Sequence, residues 1–278
     1  MANRELSTGW RLRPRSTGYF ARFGKYAVLL GLLVWLPAQA QAADWYGASW
    51  ASRKKITIDV QKVSGSQTNF PVVINLSSDT DLAADAQDDG DDLLFTSANG
   101  TTKLDHEIEK FDGTTGELVA WVKVPSLSAS ANTVLYLYYG HTTATSQQNA
   151  TGVWDSNYKG VWHLKEDPIG AAPQMKDASS NANHGTSNGA QVAGDQQSAK
   201  VDGGLNFDGV NDYLQLPSPM ESTDMTIASW IYLASNTTSH TIVSNRANEG
   251  CTQISDTNVF LFNVNDSNTD QRLRFYWG

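Results

Sequence analysis

Between residues 55 and 139 apolar side chains recur at every second position in several short runs, with no i, i+3, i+4, i+7 helical pattern between them. A period of two puts alternate side chains on opposite faces of a pleated strand, so one face can be buried while the other meets water. Lys55 to Val60 is the first such run, and Phe70 to Leu76, Leu104 to Phe111, Leu118 to Val124 and Val134 to Tyr139 follow. Turn residues separate the runs at Asn99-Gly100, Asp112-Gly113, Pro125 and Gly140. Pro71 points to a strand start or a sheet edge, because proline has no N–H to give to a ladder. Short strands at this spacing predict an antiparallel β-sandwich over residues 44–157. Tyr136, Tyr138 and Tyr139 suit its half-buried pleated face.

The residues before the sandwich read as an address. Arg4, Arg11, Arg13, Arg15, Arg22 and Lys25 form a basic stretch, and residues 27–36 (AVLLGLLVWL) an apolar run. Pro37 ends that run, and Ala38-Gln39-Ala40 or Ala40-Gln41-Ala42 offers small residues for cleavage. This order predicts a signal peptide over residues 1–42, and hence export to the periplasm, the cell surface or the medium. The apolar run is about half the roughly 20 residues needed to cross a bilayer. No later stretch is long and apolar enough to do so, so a membrane link would need an anchor beyond residue 278. The leader holds six of the 20 basic residues and one of the 29 acidic ones, which leaves 14 against 28 and a net charge of −14. Such a chain repels phosphate backbones, which argues against nucleic acid as a partner and favours divalent cations. Trp45, Trp50, Trp121, Trp154, Trp162 and Trp230 supply bulk for a sizeable core.

Two features of the first domain could carry chemistry. An acidic loop holds Asp79, Asp81, Asp85, Asp88, Asp89, Asp91 and Asp92. Hard cations such as calcium take several carboxylate oxygens at once, and Asp85, Asp88, Asp89 and Asp91 are the candidate ligands. Asp85-x-Gln87-x-Asp89-Gly90 begins like an EF-hand loop, but Thr96 stands where that loop needs a bidentate glutamate. The second feature is Asp105-His106-Glu107-Ile108-Glu109. On a strand, Glu107 and Glu109 share one face with Cα atoms roughly 6.6 Å apart. Carboxyls about 5 to 5.5 Å apart would suit a retaining glycosidase, so these two are the candidate catalytic pair. Lys103 and Lys110 are the nearby cations that could neutralise them, and His106 reads as a surface or core histidine.

Trp154 to Asn157 forms the junction to a second all-β region, residues 158–278. Gly160 to Leu164 predicts its opening strand. A polar stretch from Asp177 to Thr186 then favours Asx turns and positive φ. Asp208-Gly209-Val210-Asn211-Asp212 predicts a tight turn before Tyr213 to Leu216. Asp208 and Asp212 could contact a cation or a sugar, or simply shape that turn. Met225 to Tyr232, Thr241 to Ser244, Val259 to Val264 and Leu273 to Trp277 predict further strands. Trp230 alternates with apolar neighbours and reads as core. His163 and His184 show no ligand spacing. Cys251 is the only cysteine, which suggests either a buried free thiol or a disulfide partner beyond residue 278.

Two resemblances rest on these runs. Asp91 to Thr96, then Leu104 to Phe111 (LDHEIEKF), then Trp121 to Pro125 and Leu135 to Gly140 (LYLYYG), resemble the bacterial domain of unknown function 2341. That family has no assigned activity, so the resemblance implies no catalytic residue. GVWHL, DASSNANHGT, LNFDGVNDYLQLP and TIASWIY resemble the laminin-G-like, concanavalin-A-like jelly roll. This likeness implies a binding fold, with glycans, matrix proteins and calcium among the family's ligands. The chain ends inside an apolar strand, so the jelly roll is expected to be incomplete and to continue past residue 278. The resulting expectation is a non-catalytic, exported binding or adhesion module for polysaccharide or an envelope protein, with calcium-dependent glycan recognition as its concrete form. Two alternatives stand beside it. One is the periplasmic N-terminal part of a MotA/TolQ/ExbB-type proton channel subunit, which family resemblance alone suggests. The other is a carbohydrate-active enzyme using Glu107 and Glu109.

Overall fold

The computed structural model describes residues 44–217, 224–234, 240–244, 260–265 and 272–277. The signal-peptide expectation, its cleavage site and the Cys251 thiol lie outside them. The first domain contains β1 (Ser52–Ile58), β2 (Gln67–Leu76), β3 (Leu94–Ser97), β4 (His106–Asp112), β5 (Glu117–Leu127) and β6 (Thr133–Tyr139); the five alternating runs account for all but β3, which the sequence does not mark as a strand. They form two antiparallel sheets, in the orders β1-β6-β3 and β2-β5-β4. Between the sheets lies a core of Ile74, Phe95, Leu118, Ala120, Val122, Val124, Leu135, Leu137 and Tyr139, with Leu82, Leu93, Leu104 and Leu127 at its margins. The alternation works as expected on β5. Leu118, Ala120, Val122 and Val124 enter the core, whereas Trp121 and Lys123 lie on the outer face.

The differences from the sequence reading have local causes. Val60 leaves β1 for a 3-10 turn, because the Asp59 carboxylate accepts the Gln61 N–H at 2.8 Å and caps it. Pro125 sits inside β5 rather than in a turn. It lies beyond the reach of β4, and the pairing with β2 steps over it where Asn69 turns to φ 51°. The acidic stretch includes a short helix, α1 (Thr80–Asp85). Asp79 caps it by accepting the Asp81 and Leu82 N–H groups at 3.1 Å, and Leu82 drops into the core. The three tyrosines of β6 divide between faces, with Tyr139 in the core and Tyr138 on the outer side.

Each sheet has part of its outer face covered by a flanking segment. Residues 44–50 lie over β6. There the Trp45 ring meets Tyr138 edge-on at 5.3 Å, Arg53 stacks between Trp45 and Tyr136, and the Tyr138 hydroxyl donates to the Gly100 carbonyl at 2.9 Å. Gly100 adopts φ 80°, and a side chain there would run into the Asp44 carbonyl. In the other sheet, β4 and β5 are covered by α2 (Ala150–Val153) and the residues that follow it, while Phe70 and Val73 of β2 stay exposed.

The second region is also β but finer grained. It contains β7 (Thr186–Asn188), β8 (Gln196–Ala199), β9 (Asp202–Leu205), β10 (Tyr213–Gln215), β11 (His240–Ser244), β12 (Phe260–Asn265) and β13 (Arg272–Trp277). The pairs are β7 with β10 and β8 with β9, and the last three strands form one antiparallel sheet. Gly160 to Leu164 is not the opening strand. Trp162 makes a lone bridge to Asp177, and Leu164 turns to φ 58°, which breaks the extended run. Among the described residues Met225 to Tyr232 pairs with no strand, and Trp230 is 76% exposed rather than core. Alternation supplies a strand's two faces but not the neighbouring backbone that a ladder requires. The described fold is thus all-β apart from two short helices, and no helix among the described residues is long and apolar enough to cross a membrane.

Candidate functional site

Glu107 and Glu109 stand on the outer face of β4, beside Trp121 of β5. A bulge shapes this row. Ile108 pairs with Ala120 and Lys110 with Val119, so Glu109 is the extra residue. Ile108 and Phe111 therefore both pack toward the core, while Glu109 and Lys110 both point outward.

A carboxylate taken out of water needs compensating partners. His163, far along the chain, provides them for both glutamates. Its Nε2 lies 3.2 Å from Glu107 Oε2 and its Nδ1 3.2 Å from Glu109 Oε1. Two indoles complete the set. Trp154 Nε1 donates to Glu107 Oε2 at 2.9 Å, and Trp121 Nε1 donates to Glu109 Oε2 at 2.6 Å. Lys165 Nζ donates to the Glu109 carbonyl at 2.8 Å. The Trp121 ring is stacked against the imidazole at 6.4 Å, with Trp154 tilted at 6.1 Å. The Glu109 side chain retains 1% of its exposure and that of His163 9%.

Both nitrogens of His163 face carboxylates, which only the protonated ring can satisfy as a double donor. Burial alone would lower its pKa, but the hydrogen bonds and charges of Glu107 and Glu109 outweigh burial and raise it to about 9. Burial would likewise raise the Glu107 pKa, but the His163 and Trp154 hydrogen bonds and the His163 charge hold it below the usual carboxylate range. The unit is thus an imidazolium hydrogen-bonded on one side to the ionised Glu107 and on the other to the Glu109 carboxyl.

The other sequence candidates have separate places. Asp85 ends α1, Asp89 accepts the Asp91 N–H at 3.1 Å, and Asp88 lies against Gly113. Among the described residues no three His, Cys, Asp or Glu side chains form a group that could hold a metal ion. Asp79 pairs with Lys54 at 2.6 Å, and the buried Asp92 accepts the N–H groups of Gln87, Gly140 and His141. Asp208 and Asp212 shape the turn between them. Asp208 Oδ1 accepts from Val210 at 2.7 Å, and Asp212 Oδ2 accepts from Asp208 at 3.1 Å. Those backbone hydrogen bonds hold the Asp208 pKa low. His106 is fully buried on the core side, 5.2 Å from the Phe95 ring, and burial pushes its pKa down. Lys103 and Lys110 reach Gln147 and Glu117 instead of the Glu107–Glu109 pair.

Sequence reasoning therefore found the carboxylates but not their partner. His163 is 56 positions from Glu107, a separation that no local spacing rule covers. One signal was present: an ionisable ring within the apolar GVWHL run has to find a partner when that run is buried.

No curated protein and no solved structure matches the chain. Residues 89–161, which hold Glu107, Glu109, Trp121 and Trp154, match the model of one family, the domain of unknown function DUF2341.

Proposed function

We propose that the mature chain is a non-catalytic, exported binding module whose ligand class is polysaccharide. One observation carries the non-catalytic part: His163 occupies the space between Glu107 and Glu109. A glycosidase needs a protonated carboxyl as acid and an accessible one as nucleophile or base. Here both are hydrogen-bonded to His163 and to an indole, and Glu107 is held ionised, which suits anchoring and not proton transfer. The acidic composition and the export leader support an extracytoplasmic role, and the jelly-roll resemblance of the second region supports glycan recognition. For a contact surface the reading favours Trp230 and Tyr232, 76% and 93% exposed and two positions apart. Each offers a flat apolar ring with a polar tip, a combination enriched at interfaces.

A polysaccharide array followed by thermal-shift titration, with calcium and with chelator, tests this reading. The expected result is a rise in Tm with at least one glycan and loss of that rise in Trp230→Ala. No rise with any glycan or with calcium would remove the glycan assignment. Hydrolysis that disappears in Glu107→Gln would restore the enzyme reading.

A further inference from the structure

Residues 149–165 form a strap across the outer face of β4 and β5. Asn149 Nδ2 donates to Asp105 at 2.8 Å, and Lys123 Nζ to the Gly152 carbonyl at 2.6 Å. The main fastening is His163 between Glu107 and Glu109, flanked by Trp154 and Lys165. The next residue, Leu164, is held at φ 58°, a backbone region disfavoured for leucine. A strained residue persists only where its surroundings over-determine it. The neighbouring His163 contacts are ionic, and moving one proton removes their charge.

We infer that the strap is a charge-operated latch: the protonated His163 ring, clamped between Glu107 and Glu109, holds the second region against the sandwich, and loss of charge on either side frees it. This inference does not depend on the ligand class proposed above. The other charged groups around the cluster form pairs: Lys110 with Glu117 at 3.0 Å and with Asp202 of β9 at 4.0 Å, and Lys123 with Asp105 at 3.5 Å. Lys165 adds positive charge that favours ionised Glu107. His163 is the only histidine facing this cluster among the described residues, since His106 faces the core.

The direction with pH follows. His163 has a folded pKa raised from 6.5 to about 9. Its contribution is therefore complete below about pH 6.5 and is lost as pH rises through about 9. Glu107 has a depressed folded pKa, so its contribution is present above its ordinary value of 4.5 and is lost as pH falls through the lowered one. The latch is tightest between about pH 5 and 6.5. Raising the pH from 6 to 10 should increase its opening constant on the order of 10²-fold.

Two measurements on the full mature chain test this. The first is an NMR titration of the His163 ring. The latch requires an apparent pKa well above 6.5 that falls in Glu107→Gln, and a ring titrating at or below 6.5 overturns it. The second compares Tm for wild type and His163→Gln between pH 5 and 10. The latch requires a gap that is wide at pH 6 and closes by pH 10, and a constant gap assigns His163 to neutral packing and overturns it. Should His163→Gln fail to fold, the wild-type titration decides alone.

Discussion

The two regions solve the same problem by different means. The sandwich of residues 44–139 is held by apolar area, with long paired strands and a continuous core of buried leucines, valines and aromatics. The segment from residue 158 to 217 has short strands, and Met175 is its fully buried apolar side chain. Polar bonds take the place of a core there. Asp177 alone accepts from Val161 N, Ser179 N, Ser179 Oγ and Asn183 N, while its own N–H donates to His184 Nδ1. The polar run Asp177 to Thr186 is therefore a loop wound around one buried carboxylate. Apolar burial tolerates many residue choices of suitable volume, whereas a side chain saturated with backbone hydrogen bonds tolerates few. The first region should thus be sensitive to lost volume and the second to lost polar atoms.

The sharpest contrast comes from removing volume. Phe95→Ala empties a fully buried site facing both Leu137 and His106, and the expected cost is about 3 to 5 kcal/mol. Denaturant unfolding read by far-UV circular dichroism should show that whole loss in the sandwich transition. Asp177→Ala comes next. It strands the backbone N–H groups of Val161, Ser179 and Asn183, at about 1 to 3 kcal/mol for each one that water does not reach. Hydrogen exchange should localise the loss to residues 158–185 and leave β5 and β6 protected. If β5 and β6 lose protection equally, the two regions unfold as one and the contrast fails. Asp79→Ala should have the smallest effect, about 1 kcal/mol from the lost helix cap. It also breaks the Lys54 pair, and thermal unfolding at low and high salt would separate the two contributions.

Much of the sandwich was legible in the sequence because its organising force is local in pattern. Alternation at Phe70 to Leu76 and Leu118 to Val124 reports which side chains face inward, and β2 and β5 lie there. The short polar strands β7 and β8 carry no such pattern, because neither buries a face. Met225 to Tyr232 carries the pattern and pairs with nothing among the described residues. The candidate site was half legible. Two carboxylates at strand spacing mark a shared face, but they do not say what will cover it.

By itself the sequence determined the all-β class, five of the six sandwich strands and the acidic balance of the chain. These follow from periodicity and composition, which are properties of neighbours along the chain. The tertiary structure decided the role of Glu107 and Glu109. A carboxylate's chemistry depends on the charges and donors within a few ångströms of it. Those came from Trp121 on β5 and from Trp154 and His163 on the strap over β4 and β5.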